Sequence, residues 1–595
     1  MRLKNPMFAG ATDAQSAQAI TRFSCERKFE WTCAYYYWQT GQAIGSRGGN
    51  GIFTGYDMGF SATFSRQLSK FITGFALLIS ALVLAAPATA QVTAFKQAVA
   101  EAAAQDDDIA AFYRENDYTA IWTGAAEEHR ARRSELMRAI TTADDHGLPV
   151  TRYNPDVVLE MLRTAKTPRD RGFAEVELSR VFLRYARDVQ TGVLIPKRII
   201  SQIVREIPYR DRKTYLQDLP KSTPAAYFRA LPPRSLEYNA LLKEKIAMEK
   251  LLSQGGWGPS VPAGKLEPGD TGNDVIALRN RLIAMGFLER SNAVGYDASL
   301  TEAVRQFQEA HGLNTDGVAG PATMKQINIG VEQRLQSVMV ALERERWFNT
   351  DRGKRHILVN IPDFSAKIID DGKITFQTRS VVGAAREDRP TPEFSDVMEH
   401  MVVNPSWYVP RSIVTGEYLP QLKRNPYAVG HIEITDSRGR KVNRGAVNFN
   451  RYTARSFPFA MRQPPSKTNA LGLVKFMFPN KYNIYLHDTP AKSLFARDVR
   501  AFSHGCVRLA EPFEFAYALL APQSADPEGE FQAILRSGRE TRVVLEEQVP
   551  VHLIYRTAVT NARGHTEYRD DVYGRDALIW NALSKAGVAL RGVQG

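Results

Sequence analysis

Two short stretches near residue 500 carry the side chains best suited to chemistry. They are YNIYLHDTP (482–490) and AFSHGCVRL (501–509), and the second places Cys506 after a Ser-His-Gly turn. An ordinary thiol is only a few per cent thiolate at neutral pH, so a nearby imidazole raises its nucleophilicity. His487 ends an alternating strand, and His504 lies two residues before the cysteine. On residue types alone, either histidine could be the base that activates the thiol.

The neighbours of Cys506 supply other groups that acyl transfer requires. The backbone N–H groups of Gly505 and Cys506 could bind an oxyanion, and Gly505 allows close approach of a substrate. Arg508 could hold a carboxylate through a bidentate pair. Two other interpretations stay open here, a structural cysteine and a metal site made of His487, His504 and Cys506. No Cys-x-x-Cys pair or further nearby ligand supports the metal site.

The N-terminal region predicts export. Arg66 and Lys70 precede an apolar run that ends at residue 90 in Ala-Thr-Ala, which is the pattern of a secretory signal peptide. We therefore predict a signal peptide over residues 58–90, cleaved after Ala90. An uncleaved membrane anchor is the alternative, although the run is short for a spanning helix. Because signal peptides begin close to the start methionine, residues 1–57 are expected to be an extension that is never made or is disordered.

Export would leave the mature protein with a single cysteine. Cys25 and Cys33 lie upstream of the predicted cleavage point, so Cys506 would be the sole cysteine of the mature protein. A free thiol in an oxidising compartment has no disulfide partner there, which favours a reactive role. We expect a periplasmic or cell-envelope protein with no integral membrane span after cleavage.

Length and composition narrow the class of protein. The chain has 595 residues, of which 44% are hydrophobic and 24% charged, and this predicts several globular domains. The net charge of +13 favours an anionic partner. Basic residues are scattered without a Lys/Arg block or RNA-binding signature, so nucleic acid is not the expected partner.

Periodicity divides the mature chain into domains. Apolar residues recur at three- and four-residue spacing over 91–255, which predicts a helical scaffold domain without chemistry of its own. A Gly- and Pro-rich linker follows at 256–264. From about residue 355 the pattern changes to short β-branched strands, so 340–580 is predicted as a β-rich domain. Its polar stretch 411–470 is an insertion placed as a lid would be, and 581–595 is a C-terminal tail.

Residues 265–330 resemble the small three-helix peptidoglycan-binding domain. This resemblance predicts the fold more directly than it predicts affinity for glycan. The matching positions are Gly269, Asp270, Gly272, Val275, Leu278, Phe307, Gln308, Gly312, Leu313, Asp316, Gly317, Gly320 and Thr323.

The chemical stretches resemble the signature of the YkuD-type L,D-transpeptidases, in which a histidine is followed after a bounded gap by Ser-His-Gly-Cys-x-Arg. Fifteen residues, 488–502, separate His487 from Ser503, which fits that gap. The segments VVNPSWYVPRSI (402–413), NALGLVKFMFPN (469–480) and DDVYGRD (570–576) resemble the large murein subfamily. That subfamily implies a multidomain α+β fold with a helical scaffold, a peptidoglycan-binding domain, and a catalytic domain with an inserted capping subdomain.

The resemblance implies a mechanism. Cys506 would attack the third residue of a peptidoglycan tetrapeptide stem and expel D-Ala, forming a thioester that an amine of an acceptor stem resolves into a 3–3 cross-link. His487 would activate the thiol as a thiolate–imidazolium pair. The backbone carbonyl of Asp488 would orient the His487 ring. The side chain of Asp488 is expected to form a turn rather than to act as the acid of a catalytic triad. No metal or organic cofactor is implied, and carbapenems should acylate the thiol.

The family also implies roles for the remaining residues. Gly505, His504 and Ser503 would form the oxyanion site and shape its loop. The residues predicted to bind substrate are Arg508, Tyr485, Trp407 and Asn469.

Other functions remain possible on sequence alone. The same chemistry could attach an outer-membrane protein to peptidoglycan or act as an L,D-carboxypeptidase. A non-enzymatic wall-binding structural protein is a further alternative. A papain-like peptidase is disfavoured because the histidine precedes the cysteine in the chain.

Overall fold

The computed structural model describes residues 93–386, 389–560 and 565–592. All of them belong to one compact unit that begins at Ala90. The predicted signal peptide, the extension 1–57, Cys25 and Cys33 lie outside the described residues. Within the described part of the chain, no helix is long and apolar enough to cross a membrane.

The first part of this unit is helical. Side chains cap several helix starts: Thr93 accepts from the N–H of Lys96, and Thr167 and Asp170 form a reciprocal capping box. The amphipathic helices enclose a core around Trp122 and Phe182. The helices are α1 (Ala94–Ala103), α2 (Asp107–Glu115), α3 (Glu127–Thr141), α4 (Pro155–Thr164), α5 (Pro168–Thr191), α6 (Pro196–Ile199), α7 (Arg212–Asp218), α8 (Pro224–Ala230) and α9 (Leu236–Ser253). Short 3-10 turns lie at Ala143–His146, Val150–Arg152 and Leu219–Lys221.

Three further helices form a small domain with its own core: α10 (Asn273–Ala284), α11 (Ala298–Ala310) and α12 (Pro321–Ile327). The buried amide of Gln308 ties the loop between the last two together. It donates to Asp316 Oδ1 (2.9 Å) and Thr323 Oγ1 (3.1 Å) and accepts from Gly317 N–H (2.9 Å). The motif residues at these positions therefore hold the fold of the domain.

Helix α13 (Val331–Trp347) connects this small domain to the sheet and packs against α9. It buries several charged side chains, and Arg344 pairs with Glu393 at 2.6 Å. The helix crosses residue 340, where the sequence analysis begins the catalytic domain. Because one continuous helix joins the two domains, the sequence shows no change of composition between them. The predicted domain boundary at residue 340 therefore falls inside α13.

Nine strands form the main sheet, in the order β10-β3-β11-β9-β8-β4-β12-β1-β2, and β2 also pairs with β3. The sheet thus closes on itself around an apolar core. Asp371 and Gly372, both at positive φ, make the predicted β2–β3 hairpin turn. The strands are β1 (Arg355–Asn360), β2 (Ser365–Asp370), β3 (Lys373–Gly383), β4 (Phe394–Val403), β5 (Trp407–Tyr408), β6 (Glu433–Thr435), β7 (Ala460–Gln463), β8 (Val474–Met477), β9 (Leu486–His487), β10 (Ala501–Ser503), β11 (Val507–Leu509), β12 (Thr541–Ile554), β13 (Ala558–Thr560) and β14 (Thr566–Tyr568).

A separate subdomain, which we call the cap, extends from Trp407 to Leu471 between β4 and β8. Its three-stranded sheet has the order β5-β7-β6. It also contains α14 (Arg411–Ile413), a π-helical turn (Val414–Tyr418), α15 (Leu419–Arg424) and 3-10 turns at Arg444–Ala446 and Phe449–Arg451. The cap has its own apolar core, so it is an ordered subdomain rather than a loop.

The chain ends with helices that pack on the sheet and on α13: α16 (Pro512–Leu520), α17 (Pro527–Arg536) and α18 (Arg575–Lys585), with a 3-10 turn at Lys492–Ala496 before β10. Residue 581, the predicted start of a tail, falls inside α18. The helix continues there because Ile579 and Leu583 are buried one turn apart. The arrangement as a whole confirms the predicted multidomain α+β class.

Candidate active site

Strand pairing brings the two chemical stretches together. β9 and β11 run parallel as neighbours, with Leu486 opposite Val507 and His487 opposite Arg508. Cys506 immediately precedes β11, so it lies beside the strand that carries His487. Residues separated by nineteen positions in the chain therefore meet at one edge of the sheet.

A cavity of about 650 Å³ opens at this edge, between the sheet and the cap. This volume is in the usual range for a small-ligand site. The residues that line it come from the sheet, from the loop after β3 and from the cap: Arg389, Trp407, Tyr408, Pro410, Arg411, Ser412, Ile413, Glu417, Tyr418, Ala470, Leu471, Tyr482, Asn483, Ile484, Tyr485, His487, Ser503, His504, Cys506 and Arg508.

The ring of His487 is buried and oriented by the backbone. Its Nδ1 lies 2.5 Å from the carbonyl oxygen of Asp488, so Nδ1 carries the proton because a carbonyl only accepts. The carbonyl of Leu471 also lies close and favours the charged ring. Burial and then the charge of Arg508 outweigh these carbonyls and lower the pKa of His487 from 6.5 to about 3. The ring is thus neutral at physiological pH.

The thiol of Cys506 is also neutral. Cys506 as a whole is half-exposed, yet its sulfur is closely surrounded by protein atoms. The resulting desolvation raises the pKa of the thiol from 9.0 to about 11, although hydrogen bonds from Tyr485 act in the opposite direction. The sulfur donates to the carbonyl of Asn483 at 3.5 Å rather than to His487. Both pKa shifts favour the neutral forms over the predicted thiolate–imidazolium pair, because each charged form loses hydration and no hydrogen bond between the two side chains compensates among the described residues.

The turn before the thiol is held from within. Ser503 Oγ donates to the carbonyl of Cys506 (2.6 Å) and accepts from the N–H of Gly505 (3.1 Å). Gly505 has φ of +114°, and a Cβ there would lie 3.0 Å from Ile484 Cδ1. Only glycine suits this position. Since the Gly505 N–H is already bonded, its predicted oxyanion role is corrected: of the two N–H groups, only that of Cys506 has no partner among the described residues.

His504 is bound by a carboxylate of the cap. Its Nε2 lies 2.6 Å from Glu417 Oε1 in the cap, and the same carboxylate pairs with Arg389 at 2.5 Å. This contact, together with the position of His487 on the strand beside Cys506, favours His487 as the base. No three potential metal-ligating side chains cluster anywhere in the described part of the chain.

The predicted substrate-binding residues divide into two groups. Arg508 faces the cavity, and among the described residues no ion pair neutralises it. Tyr485 and Trp407 also line the cavity, and burial raises the pKa of Tyr485 well above 10.0. Asn469 does not line it. Its side chain is fully buried and donates to the carbonyls of Pro405, Gln463 and Pro464, so its role is corrected to holding the base of the cap.

The Asp488 carboxylate serves the local fold. It accepts from the N–H of Leu473 (2.9 Å) and pairs with Lys492 (2.8 Å), while its backbone carbonyl holds His487. Glu417 and Arg389 are not among the residues predicted from the sequence. Neither lies in a recognisable motif, and only their convergence on His504 reveals them.

Three regions of the chain match known domain families. Residues 354–535 match the L,D-transpeptidase catalytic domain of the YkuD type. The chain carries a YkuD-type L,D-transpeptidase domain. Residues 107–244 match a scaffold domain, and 271–327 match a domain described as "Putative peptidoglycan binding domain". The resemblance inferred from the His and Ser-His-Gly-Cys-x-Arg stretches is confirmed.

A curated protein of Haemophilus influenzae (strain ATCC 51907 / DSM 11121 / KW20 / Rd), named "Putative L,D-transpeptidase", is 33% identical over 237 residues. The match covers 38% of this chain and 47% of that protein, so the chain spans about half the length of this relative.

The chain is similar to two solved L,D-transpeptidase structures. The structure from Xylanimonas cellulosilytica DSM 15894 is 16% identical, covers 50% of this chain and 98% of its own, and has a TM-score of 0.15. The structure from Stackebrandtia nassauensis is 13% identical, covers 50% and 97%, and has a TM-score of 0.19.

Proposed function

We propose that this protein is a murein L,D-transpeptidase that forms 3–3 cross-links between peptidoglycan stem peptides through a thioester on Cys506. One observation carries the proposal: β9 and β11 pair in parallel, so a thiol and a backbone-oriented imidazole line one cavity beside Arg508, a cation without an ion-pair partner in the described part of the chain. We further infer that the protein acts in the periplasm and that the predicted signal peptide directs it there.

In the first half-reaction, Cys506 Sγ attacks the carbonyl carbon of the third residue of the donor tetrapeptide. The thiol proton passes to Nε2 of His487, which accepts it because Nδ1 is held by Asp488. The N–H of Cys506 stabilises the oxyanion. The C–N bond then breaks, the imidazolium returns the proton to the departing amine, and D-Ala leaves.

The second half-reaction mirrors the first. An amine of the acceptor stem attacks the thioester carbonyl and loses a proton to His487, and the thiolate leaves and regains that proton. The new amide is the 3–3 cross-link. Because thiol and imidazole both begin neutral, proton transfer accompanies the attack instead of preceding it.

Arg508 would recognise the donor by charge. Its guanidinium faces the cavity without an ion-pair partner among the described residues, and burial lowers its pKa. A carboxylate of the stem peptide would compensate this lost hydration. The remaining lining, which includes Trp407 and Tyr485, offers aromatic surface for the peptide backbone.

Mass spectrometry of the purified protein with a disaccharide-tetrapeptide tests the proposal. We expect a protein adduct that lacks D-Ala and a dimeric 3–3 product, both absent from Cys506→Ala. His487→Ala should lose both signals, whereas His504→Ala, the matched histidine control, should still form the adduct. Adduct decay to free tripeptide alone would identify a carboxypeptidase. Wild-type protein without any adduct would refute the nucleophile assignment and leave a wall-binding protein.

A further inference from the structure

Thr391 lies outside every motif, yet the structure uses each of its polar groups. It is fully buried directly after the loop that follows β3. Its N–H donates to the Tyr573 hydroxyl (3.2 Å), and its carbonyl accepts from Arg575 (3.0 Å). Its Oγ1 lies 2.9 Å from the N–H of Gly383 and 2.7 Å from the carbonyl oxygen of Gly505.

The direction of the hydroxyl proton follows from these partners. The N–H of Gly383 can only donate, so Thr391 Oγ1 accepts from it. The carbonyl of Gly505 can only accept, so the Thr391 proton is directed to that oxygen. Thr391 is therefore a fixed donor to the residue just before the nucleophile.

That carbonyl belongs to the same peptide unit as the N–H of Cys506. A peptide bond is planar and trans, so its C=O and N–H point in opposite directions. Holding the carbonyl of Gly505 toward Thr391 holds the N–H of Cys506 toward the other side. This matters because Gly505, at φ +114°, has no Cβ to restrict rotation of that peptide unit.

Thr391 is in turn held by the segment DDVYGRD (570–576), through Tyr573 and Arg575. Arg575 of this segment also pairs with Glu393 (2.7 Å), which Arg344 of α13 contacts from the other side (2.6 Å). All three of these charged side chains are buried. The network anchors Thr391 to α13 and to the first residue of α18 rather than to the cap.

We propose that Thr391 is a positioning residue that orients the Cys506 N–H as the oxyanion donor of the transpeptidase. The inference rests on the proposed function, because the donor has a catalytic role only if an acyl group is transferred. It adds a residue that contacts neither the substrate nor the reacting atoms.

The test compares Thr391→Val, which keeps the shape and removes the hydroxyl, with Thr391→Ser, which keeps the hydroxyl. The matched control is Thr378→Val. Thr378 is also buried, accepts from one backbone N–H (Glu511, 3.0 Å) and donates to an oxygen of Glu511, away from the Gly505 carbonyl. Melting temperature, kcat and KM for the tetrapeptide, and the rate of Cys506 alkylation by iodoacetamide are measured for each variant.

Loss of a single oxyanion donor typically costs about 10²–10³ in kcat. We expect Thr391→Val to lower kcat by about ten- to a hundredfold with little change in KM, since the donor is misdirected rather than removed. Alkylation develops no oxyanion, so its rate should stay within about twofold. Thr391→Ser should recover most of kcat, and Thr378→Val should lose stability without this loss. Wild-type kcat in Thr391→Val, an equal loss of kcat and alkylation, or no rescue by serine would each overturn the proposal.

Amide hydrogen exchange separates this inference from the proposed function. The fragment 501–510 should exchange at least about tenfold faster in Thr391→Val than in Thr378→Val, because the turn loses its outer anchor. Unchanged exchange would overturn the positioning role even in a protein that proves inactive toward tetrapeptide. If the wild-type protein is inactive toward tetrapeptide but the exchange difference is as expected, the proposed function is refuted, whereas the role of Thr391 in holding the turn stands.

Discussion

The pH dependence of Cys506 alkylation distinguishes a neutral thiol from a preformed ion pair. Burial raises the pKa of this thiol from 9.0 to about 11, a change of about two units. At pH 7 the thiolate fraction falls from roughly 10⁻² to roughly 10⁻⁴, so alkylation by iodoacetamide should be about a hundredfold slower than for an unfolded cysteine. The rate should rise about tenfold per pH unit between pH 6 and 10.

The assay is site-resolved mass spectrometry of the full chain after timed iodoacetamide pulses, with urea-unfolded protein as the reference. His487→Ala should change the rate little, since the pKa of His487 is lowered to about 3 and no imidazolium exists above pH 5 to stabilise a thiolate. A rate that is constant between pH 5 and 8 in wild type and lost in His487→Ala would refute the reasoning. It would show a thiolate–imidazolium pair in the free protein.

Three substitutions test the surroundings of the thiol. Gly505→Ala should abolish thioester formation in the mass-spectrometric assay and lower the free energy of unfolding by about 1 kcal/mol or more. The reason is that φ is +114° at this position and the new Cβ would contact Ile484. Acylation at the wild-type level would contradict this prediction. Asn469→Ala should cost about 1–3 kcal/mol in urea unfolding by leaving buried carbonyls unpaired, while Cys506 alkylation stays unchanged. Glu417→Gln removes the negative charge that binds His504, so amide hydrogen exchange in the cap helices should become faster and turnover should become less sensitive to salt. Identical exchange in the variant and the wild type would show that this contact does not hold the cap against the sheet.

Much of this protein can be derived from its sequence because the information is local. The Ser-His-Gly-Cys-x-Arg stretch and the spacing to His487 indicate the chemistry. Helical periodicity and a Gly/Pro linker separate the domains. The Asp371-Gly372 turn follows from two residues that tolerate positive φ.

The tertiary structure decided what depends on distant partners. His487 and His504 are equivalent bases by residue type, and they differ only because one ring meets a neighbouring backbone carbonyl and the other meets Glu417 of the cap. The charge state of Cys506 depends on how completely the packed cap and sheet remove water from its sulfur. Hydrogen-bond direction at Gly505 is set by Thr391, 114 residues away in the chain. Desolvation and peptide orientation are properties of the assembled fold, so residue types and spacing do not determine them.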